Sequence, residues 1–374
     1  MRALVAIDSF KGSFSSQEAA NIVTQAFSKY RIVTDAAAIA DGGEGTSAAY
    51  LANHSTAMWR QLTVTNMVGK PTPVQYVIDA SQHLAIIDVA EASGIQFATT
   101  QDGFVDPLTT NSIGTGEMIQ DATQQGVQKI VVALGGSGTT DAGIGLLGAL
   151  GVKFYDDQGN ELPPTVPSLA KVEKYNDAAV SLHDIQLVAC ADVDSPLTGP
   201  TGAVQMFGPQ KGVDDQQESL EKAFHHFADV LDPTEHGQVA GDGAAGGMGF
   251  ALRVLGAEHM AGFDFIANDI NLPSRVAQTD FVVTGEGRLD TQSTHGKVPV
   301  RMAELAQKAG KPCFAIVGTQ ELDLATARQY GLTSVFPIVD RPMTLAQAIA
   351  NGKENLARTA ARVGAMAASM DGGK

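Results

Sequence analysis

The two ends of this chain follow one pattern and the middle follows another. At the start, the apolar run "ALVAID" (Ala3 to Asp8) reads as a short strand ending in an acid. "SFKGS" turns it, and Ser15 with Glu18 makes a capping box for a helix. Ala19, Val23, Ala26, Phe27 and Tyr30 fall on one face of that helix. A second strand is expected over 31–39, ending in "ADGGEGT", and another helix follows. The C-terminal end repeats this order. "DFVVTGEGRLD" is strand then loop, Met302 to Gly310 helix, and "CFAIVG" strand. Leu322 to Tyr330 is helix and "SVFPIV" strand, and one long helix runs on from Thr344. Alternating strand and helix signals a parallel sheet.

The middle has hairpin character. "RQLTVTNMVGKPTPVQYVID" and "HLAIIDVAEASGI" alternate apolar and polar residues between Pro and Gly turns, which suits a mixed sheet. "DIQLVACAD" adds a strand, and Leu220, Phe224, Phe227, Ala228 and Leu231 form a helical stripe. The expected fold is therefore α/β: a doubly wound parallel-sheet domain from residues 1–58 and 269–374, interrupted by a second α/β domain with a mixed sheet over 59–268. With 374 residues, 44% of them apolar, two cores are reasonable. In a flavodoxin-like strand order, "DSFKGS" and "TGEGRLD" become neighbours at the switch point, where open α/β sheets take their ligands.

Composition narrows the chemistry. A net charge of -16 and a pI near 4.8 argue against nucleic acid and against anionic membrane as partners. Cys190 and Cys313 are the only cysteines, with no metal spacing and no disulfide framework, which suits a reducing, cytoplasmic setting. Nothing near the N-terminus reads as a cleavable apolar segment, and no run reaches membrane length. The 40 glycines exceed the average of roughly 7% and mark loops.

Several of those loops carry candidate chemistry. "IVVALGGSGTTDAGIGLLGALG" is a buried strand followed by Gly135, Gly136, Ser137, Gly138, Thr139, Thr140 and Asp141. Its backbone N–H groups and hydroxyls could cradle phosphate ahead of a helix starting near Asp141, or simply form a tight turn. Gly143, Gly145 and Gly148 match G-x-G-x-x-G, but too far from the strand for a dinucleotide fingerprint, and they read as helix-packing glycines. Lys11, Asp41 and Glu44 sit in the first two strand-end loops. Asp192 and Asp194 share one face if their strand continues, and could then hold Mg²⁺ or divide metal and base roles; an Asx-type turn closed by Pro196 is the plainer reading. "FGPQKG" adds Lys211, and "TGEGRLDTQSTHGK" adds Glu286, Arg288, Asp290, His295 and Lys297. Glycine, hydroxyl, acid and base at several strand ends suit metal-assisted phosphoryl transfer.

"DSFKGS", "ADGGEGT", "DPLTTNSIGTGE", "LGGSGTTDAG", "ADVDSPLTGP", "FGPQKG", "GDGAAGGMG" and "TGEGRLDTQSTHGK" occur in the order seen in bacterial type I glycerate kinases, so the chain resembles that family over essentially its whole length. Where the family usually reads "GGSATNDGG", this chain has Gly138, Thr140 and Ala142, and Ser195 replaces the Asn of "DVDNPL". The resemblance implies a flavodoxin-like domain interrupted by a second α/β domain. It also implies phosphorylation of D-glycerate by ATP, with 2-phosphoglycerate favoured as product. The expected site is an interdomain cleft. In it, Lys11 and Arg288 meet the glycerate carboxylate or the transferred phosphoryl. Asp192 is the first candidate base, with Glu286 and Asp290 as further candidates. Asp194 and Asp290 are expected to ligate Mg²⁺. Gly135 to Thr139, Asp141 and Lys211 are expected to hold nucleotide phosphates, and Ser9, Asp41, Glu44 and Lys297 to contact glycerate. The rivals are a serine hydrolase using Ser137, for which no partner His is evident, and a non-catalytic sugar-acid-binding protein.

Overall fold

A computed structural model describes residues 1–100, 103–182, 184–294 and 296–371. The strands of its two main sheets are, in chain order, β1 (Arg2–Ile7), β2 (Val33–Ala38), β3 (Met58–Thr65) and β4 (Pro71–Asp79). There follow β5 (Leu84–Asp88), β6 (Lys129–Ala133), β7 (Gln186–Cys190) and β8 (Glu258–Met260). The last are β9 (Phe281–Thr284), β10 (Cys313–Val317) and β11 (Ser334–Pro337). The chain divides into two compact units, one of residues 1–41, 48–55 and 262–374, the other of 42–47 and 56–261.

The first unit holds a five-stranded sheet in the order β11-β10-β9-β1-β2, with every neighbour parallel. Taken along this unit alone, the order is 2-1-3-4-5, which is flavodoxin-like. β1 can sit between β9 and β2 because all its residues after Arg2 are buried; a strand covered on both faces needs such a continuous apolar run. The helix Ser16–Ser28 carries the expected capping box, and buries Ala19, Val23, Ala26 and Phe27. One expectation changes. The helix from Thr344 is two helices, Leu345–Ala350 and Gly352–Asp371, broken at Asn351. A Cβ on Gly352 would lie 2.7 Å from Ser13 Oγ and 2.9 Å from the Phe14 ring, so the second helix starts where it can press against the loop after β1.

The second unit holds a mixed sheet, β8-β7-β6-β5-β4-β3. β5 to β8 are parallel, and β3, β4 and β5 form antiparallel pairs. "HLAIIDVAEASGI" supplies one strand and then a short helix, Ala90–Ser93, where strands alone were expected. The stripe Leu220, Phe224, Phe227, Ala228 and Leu231 is buried on the helix Gln217–Leu231, with Phe227 packing against Phe154 and Phe250. A small antiparallel sheet of Lys153–Tyr155, Glu161–Leu162 and Lys174–Asn176 completes the unit.

Candidate functional site

In the first unit the strand order reverses between β1 and β9, and the loops after these strands meet. The Asp8 amide donates to the Gly285 carbonyl at 2.9 Å. The Ser16 hydroxyl donates to the Ile7 carbonyl at 2.6 Å and accepts from the Ile39 amide at 2.9 Å, which fixes the end of β1. Past β9 the backbone stays paired with the segment after β10: Gly318 N to Glu286 O at 3.0 Å and Thr319 N to Gly287 O at 3.1 Å. Glycine is required here, because a Cβ on Gly285 would stand 1.9 Å from Ile316 O and one on Gly318 2.1 Å from Gly287 O.

These loops enclose a cavity of about 310 Å³. Three acids, Asp8, Asp41 and Glu286, and three cations, Lys11, Arg288 and Lys297, line it, with Ser9 beside them. The rest of the lining is largely apolar and includes Phe10, Phe14, Ile338, Val339, Leu345 and Ile349. Burial lifts the Glu286 carboxyl to about 7; Ser293 and Lys297 oppose the shift, Asp290 and Asp41 add to it. Lys297 Nζ lies 3.9 Å from Glu286 Oε2, while Oε1 is buried with no hydrogen-bond partner among the described residues. Burial, then Asp41, pushes Asp8 well above the usual carboxylate range against the pull of the Ser9 amide and Lys11, and Glu286 adds a smaller push in the same direction. Arg288 is exposed and pairs with Glu321 at 2.8 Å and Asp290 at 3.3 Å.

The second unit has a pocket of about 290 Å³ beyond β6, lined by Gly135, Gly136, Ser137, Gln210 and Lys211 among apolar residues that include Leu134, Val193 and Phe207. Lys211 is only 5% exposed. Its ammonium donates to Ser137 Oγ at 2.8 Å and to Thr139 O at 3.0 Å. Burial draws its pKa down to about 8, with Asp141 pulling the other way.

The residues that sequence reasoning grouped here have separate tasks. Gly138 packs against Met67 and Ile95, and its amide donates to Ser93 O at 2.7 Å. Thr139 and Thr140 are fully buried. The helix expected near Asp141 begins at Ile144, and Asp141 lies buried before it. Its carboxylate accepts from the Ser112 amide and hydroxyl and from the amides of Gly143 and Gly145. Gly145 and Gly148 are packing glycines, facing Asn111 and Pro164.

A model of the glycerate kinase family matches residues 3–368. The chain belongs to the glycerate kinase family. Relatives include the glycerate 2-kinase of Escherichia coli K12, 36% identical over 98% of this chain and 97% of its own, and the glycerate kinase of Bacillus subtilis 168, 33% identical over 98% and 97%. A crystal structure provisionally assigned as glycerate kinase 2 from Salmonella typhimurium LT2 superposes with a TM-score of 0.85 at 33% identity, covering 100% of both chains.

As a glycerate kinase the chain is an enzyme that phosphorylates glycerate. Of its expected site residues, Ser9, Lys11, Asp41, Glu286, Arg288 and Lys297 gather at the first cavity, with Asp290 against Arg288. Glu44 belongs to the second unit, beside Gly136. β7 ends at Cys190, so Asp192 and Asp194 lie in a loop and not on one strand face. Asp192 is half-buried and Asp194 exposed, and of that segment Val193 lines the second pocket. Ser137 meets a lysine, whereas the hydrolase reading asks for a histidine. His295 lies outside the described residues. Asp8 was missed, and the available signal was an acid closing an otherwise apolar strand. Among the described residues no three His, Cys, Asp or Glu side chains are placed to cage a metal ion, and no helix is long and apolar enough to cross a membrane.

Proposed function

We propose that this glycerate kinase transfers the γ-phosphoryl group of ATP to the 2-hydroxyl of D-glycerate, giving ADP and 2-phosphoglycerate. The name of the Escherichia coli relative, glycerate 2-kinase, supports the choice of hydroxyl. The observation that carries the reading is one cavity at the strand-order reversal lined by Lys11, Arg288 and Lys297 together with Asp8, Asp41 and Glu286. Phosphoryl transfer asks for little covalent help from protein; it asks for positioning and for positive charge near the group in flight. Lys11, Lys297 and Arg288 supply that charge.

The proton of the attacking hydroxyl goes to a carboxylate. We place that role on Glu286, whose carboxyl at about 7 is poised near neutrality, as an efficient base requires. Its buried Oε1 has an acceptor site open toward a donor. Asp192 and Asp194 are the alternatives for base and metal contact in the other unit. Mg²⁺ enters with ATP and neutralises phosphate charge. Such an ion would take one or two carboxylates together with ATP and water, so it needs no cage of its own; Asp290 and Asp8 are the candidates to hold it.

Phosphorus NMR of the product formed from D-glycerate and Mg-ATP tests the proposal. A 2-phosphoglycerate signal that is lost in excess EDTA is expected. A 3-phosphoglycerate signal would overturn the choice of hydroxyl, and undiminished turnover in EDTA would overturn the role of the metal.

A further inference from the structure

We infer that the apolar wall of the first unit's cavity seats the nucleoside of ATP, with the triphosphate running toward Lys11, Arg288 and Lys297. This rests on the kinase reading above, and assigns one of its two substrates to a place in the fold.

Chemical mismatch is the first argument. Every carbon of glycerate carries oxygen, so it has no apolar face to bury. The cavity's lining nonetheless includes the aliphatic side chains of Val339, Leu345 and Ile349, backed by the buried Ile338 and by two stacked, buried rings, Phe10 and Phe14, with centroids 4.5 Å apart. Leu345 is 77% exposed and Ile349 40% exposed, so the wall still has apolar surface to cover. A flat purine supplies an apolar face of the right kind.

Charge is the second argument. A triphosphate carries several negative charges, and three cations line this cavity. In the second unit's pocket Lys211 is the one cation among the described lining residues, which leaves less positive charge for a triphosphate. The acids Asp8 and Asp41 do not spoil the match, since they would help to hold the cation that accompanies ATP.

Placement is the third. Open α/β sheets bind nucleotides beyond the carboxyl ends of the strands where the order reverses, and here that point lies between β1 and β9. The wall is also tied to the cationic loop. Ser13 Oγ donates to Ile349 O at 2.9 Å, so the helix Leu345–Ala350 and the loop carrying Lys11 are held together. Base and phosphate positions are thereby fixed relative to each other.

Calorimetry with ADP and with pyrophosphate, on wild type and on Leu345→Asp and Ile349→Asp, tests this. Both side chains are open to solvent, so the fold should tolerate the changes, and Met58→Asp, at an exposed apolar side chain outside the cavity lining, serves as the control. ADP should bind about tenfold or more weakly to the Asp variants. Pyrophosphate binding should change little, so the preference for ADP over pyrophosphate collapses. In steady state the KM for ATP should rise while that for D-glycerate holds, and Met58→Asp should behave as wild type. The inference is overturned if ADP binding survives both Asp variants, or if the glycerate KM rises instead. A wild-type protein that binds ADP at this wall but does not turn over glycerate would sink the kinase reading and leave the nucleoside site standing.

Discussion

The ammonium of Lys211 lies 2.8 Å from the hydroxyl of Ser137, in a pocket wall where the lysine is almost wholly buried. A cation placed there is costly, and a bound anion would offset that cost. The sign follows from proton counts. The lysine titrates near 8 in the folded chain and near 10.5 when unfolded. Between those values the unfolded chain binds the extra proton, so stability rises with pH across that window, and below about 8 the full penalty remains.

Lys211→Met should therefore leave the protein as stable at pH 7, or more stable by up to about 3 kcal/mol. It should remove the rise in stability between about pH 8 and 10.5 and abolish most glycerate turnover. Urea unfolding at pH 7 and pH 10, with kcat/KM, checks all three. A variant that unfolds more easily at pH 7 would show that the lysine is structural.

Glu286→Gln should lower kcat by roughly 10²–10⁴, the usual loss for a general base. In wild type, activity should climb as pH rises through about 7, because a base works only when deprotonated. That limb should vanish in the variant. Asp192→Asn, measured beside it, should keep most of its turnover. The reverse pattern would move the base to the loop after β7.

The same carboxyl predicts a pH effect on stability of opposite sign to that of Lys211. Raised by burial from 4.5 to about 7, Glu286 holds its proton in the folded chain where the unfolded chain has lost it. Stability should fall as pH rises from about 4.5 to 7, by about 3 kcal/mol for this group. The difference in unfolding free energy between wild type and Glu286→Gln, followed against pH, should show that slope.

Arg253 is held by two acids. Its guanidinium meets the fully buried Asp242 at 2.7 and 2.9 Å and Asp232 at 2.6 Å. Arg253→Ala should cost about 3–5 kcal/mol, because it strands a buried carboxylate. Arg253→Lys should rescue little, since lysine cannot span both oxygens of Asp242. Chemical denaturation of the two variants decides the point; near-wild-type stability of the lysine variant would argue against a bidentate role.

Much of this molecule can be read from its residues, for identifiable reasons. The strands β1, β9, β10 and β11 are short apolar runs bounded by turns, and the capping box at Ser15 is a local signal, so their types and the parallel sheet follow from sequence. Asp141 could not be read that way. An acid among glycines looks like a ligand-binding group, and nothing local reveals that Ser112 takes its lone pairs. Asp8 is the converse case. It reads as the end of a strand, and only the crossing of β1 beside β9 brings it toward Glu286. The break at Asn351 is tertiary too, since it follows the fit of Gly352 against Ser13 and Phe14.

The pairing of β1 with β9 also sets an order of assembly. β1 finds β2 within the first forty residues, but its other neighbour begins only at Phe281. The second unit, by contrast, is almost continuous, with most of its chain in 56–261. On a ribosome emitting the chain from its N-terminus, that unit can complete its sheet first. β1 meanwhile waits with one side of its backbone unpaired, a lure for other nascent chains, until about three quarters of the polypeptide has been made. The enzyme's first strand is thus among the last to be fully housed, and slowing synthesis just before residue 281 should lengthen the interval in which chaperones must guard it.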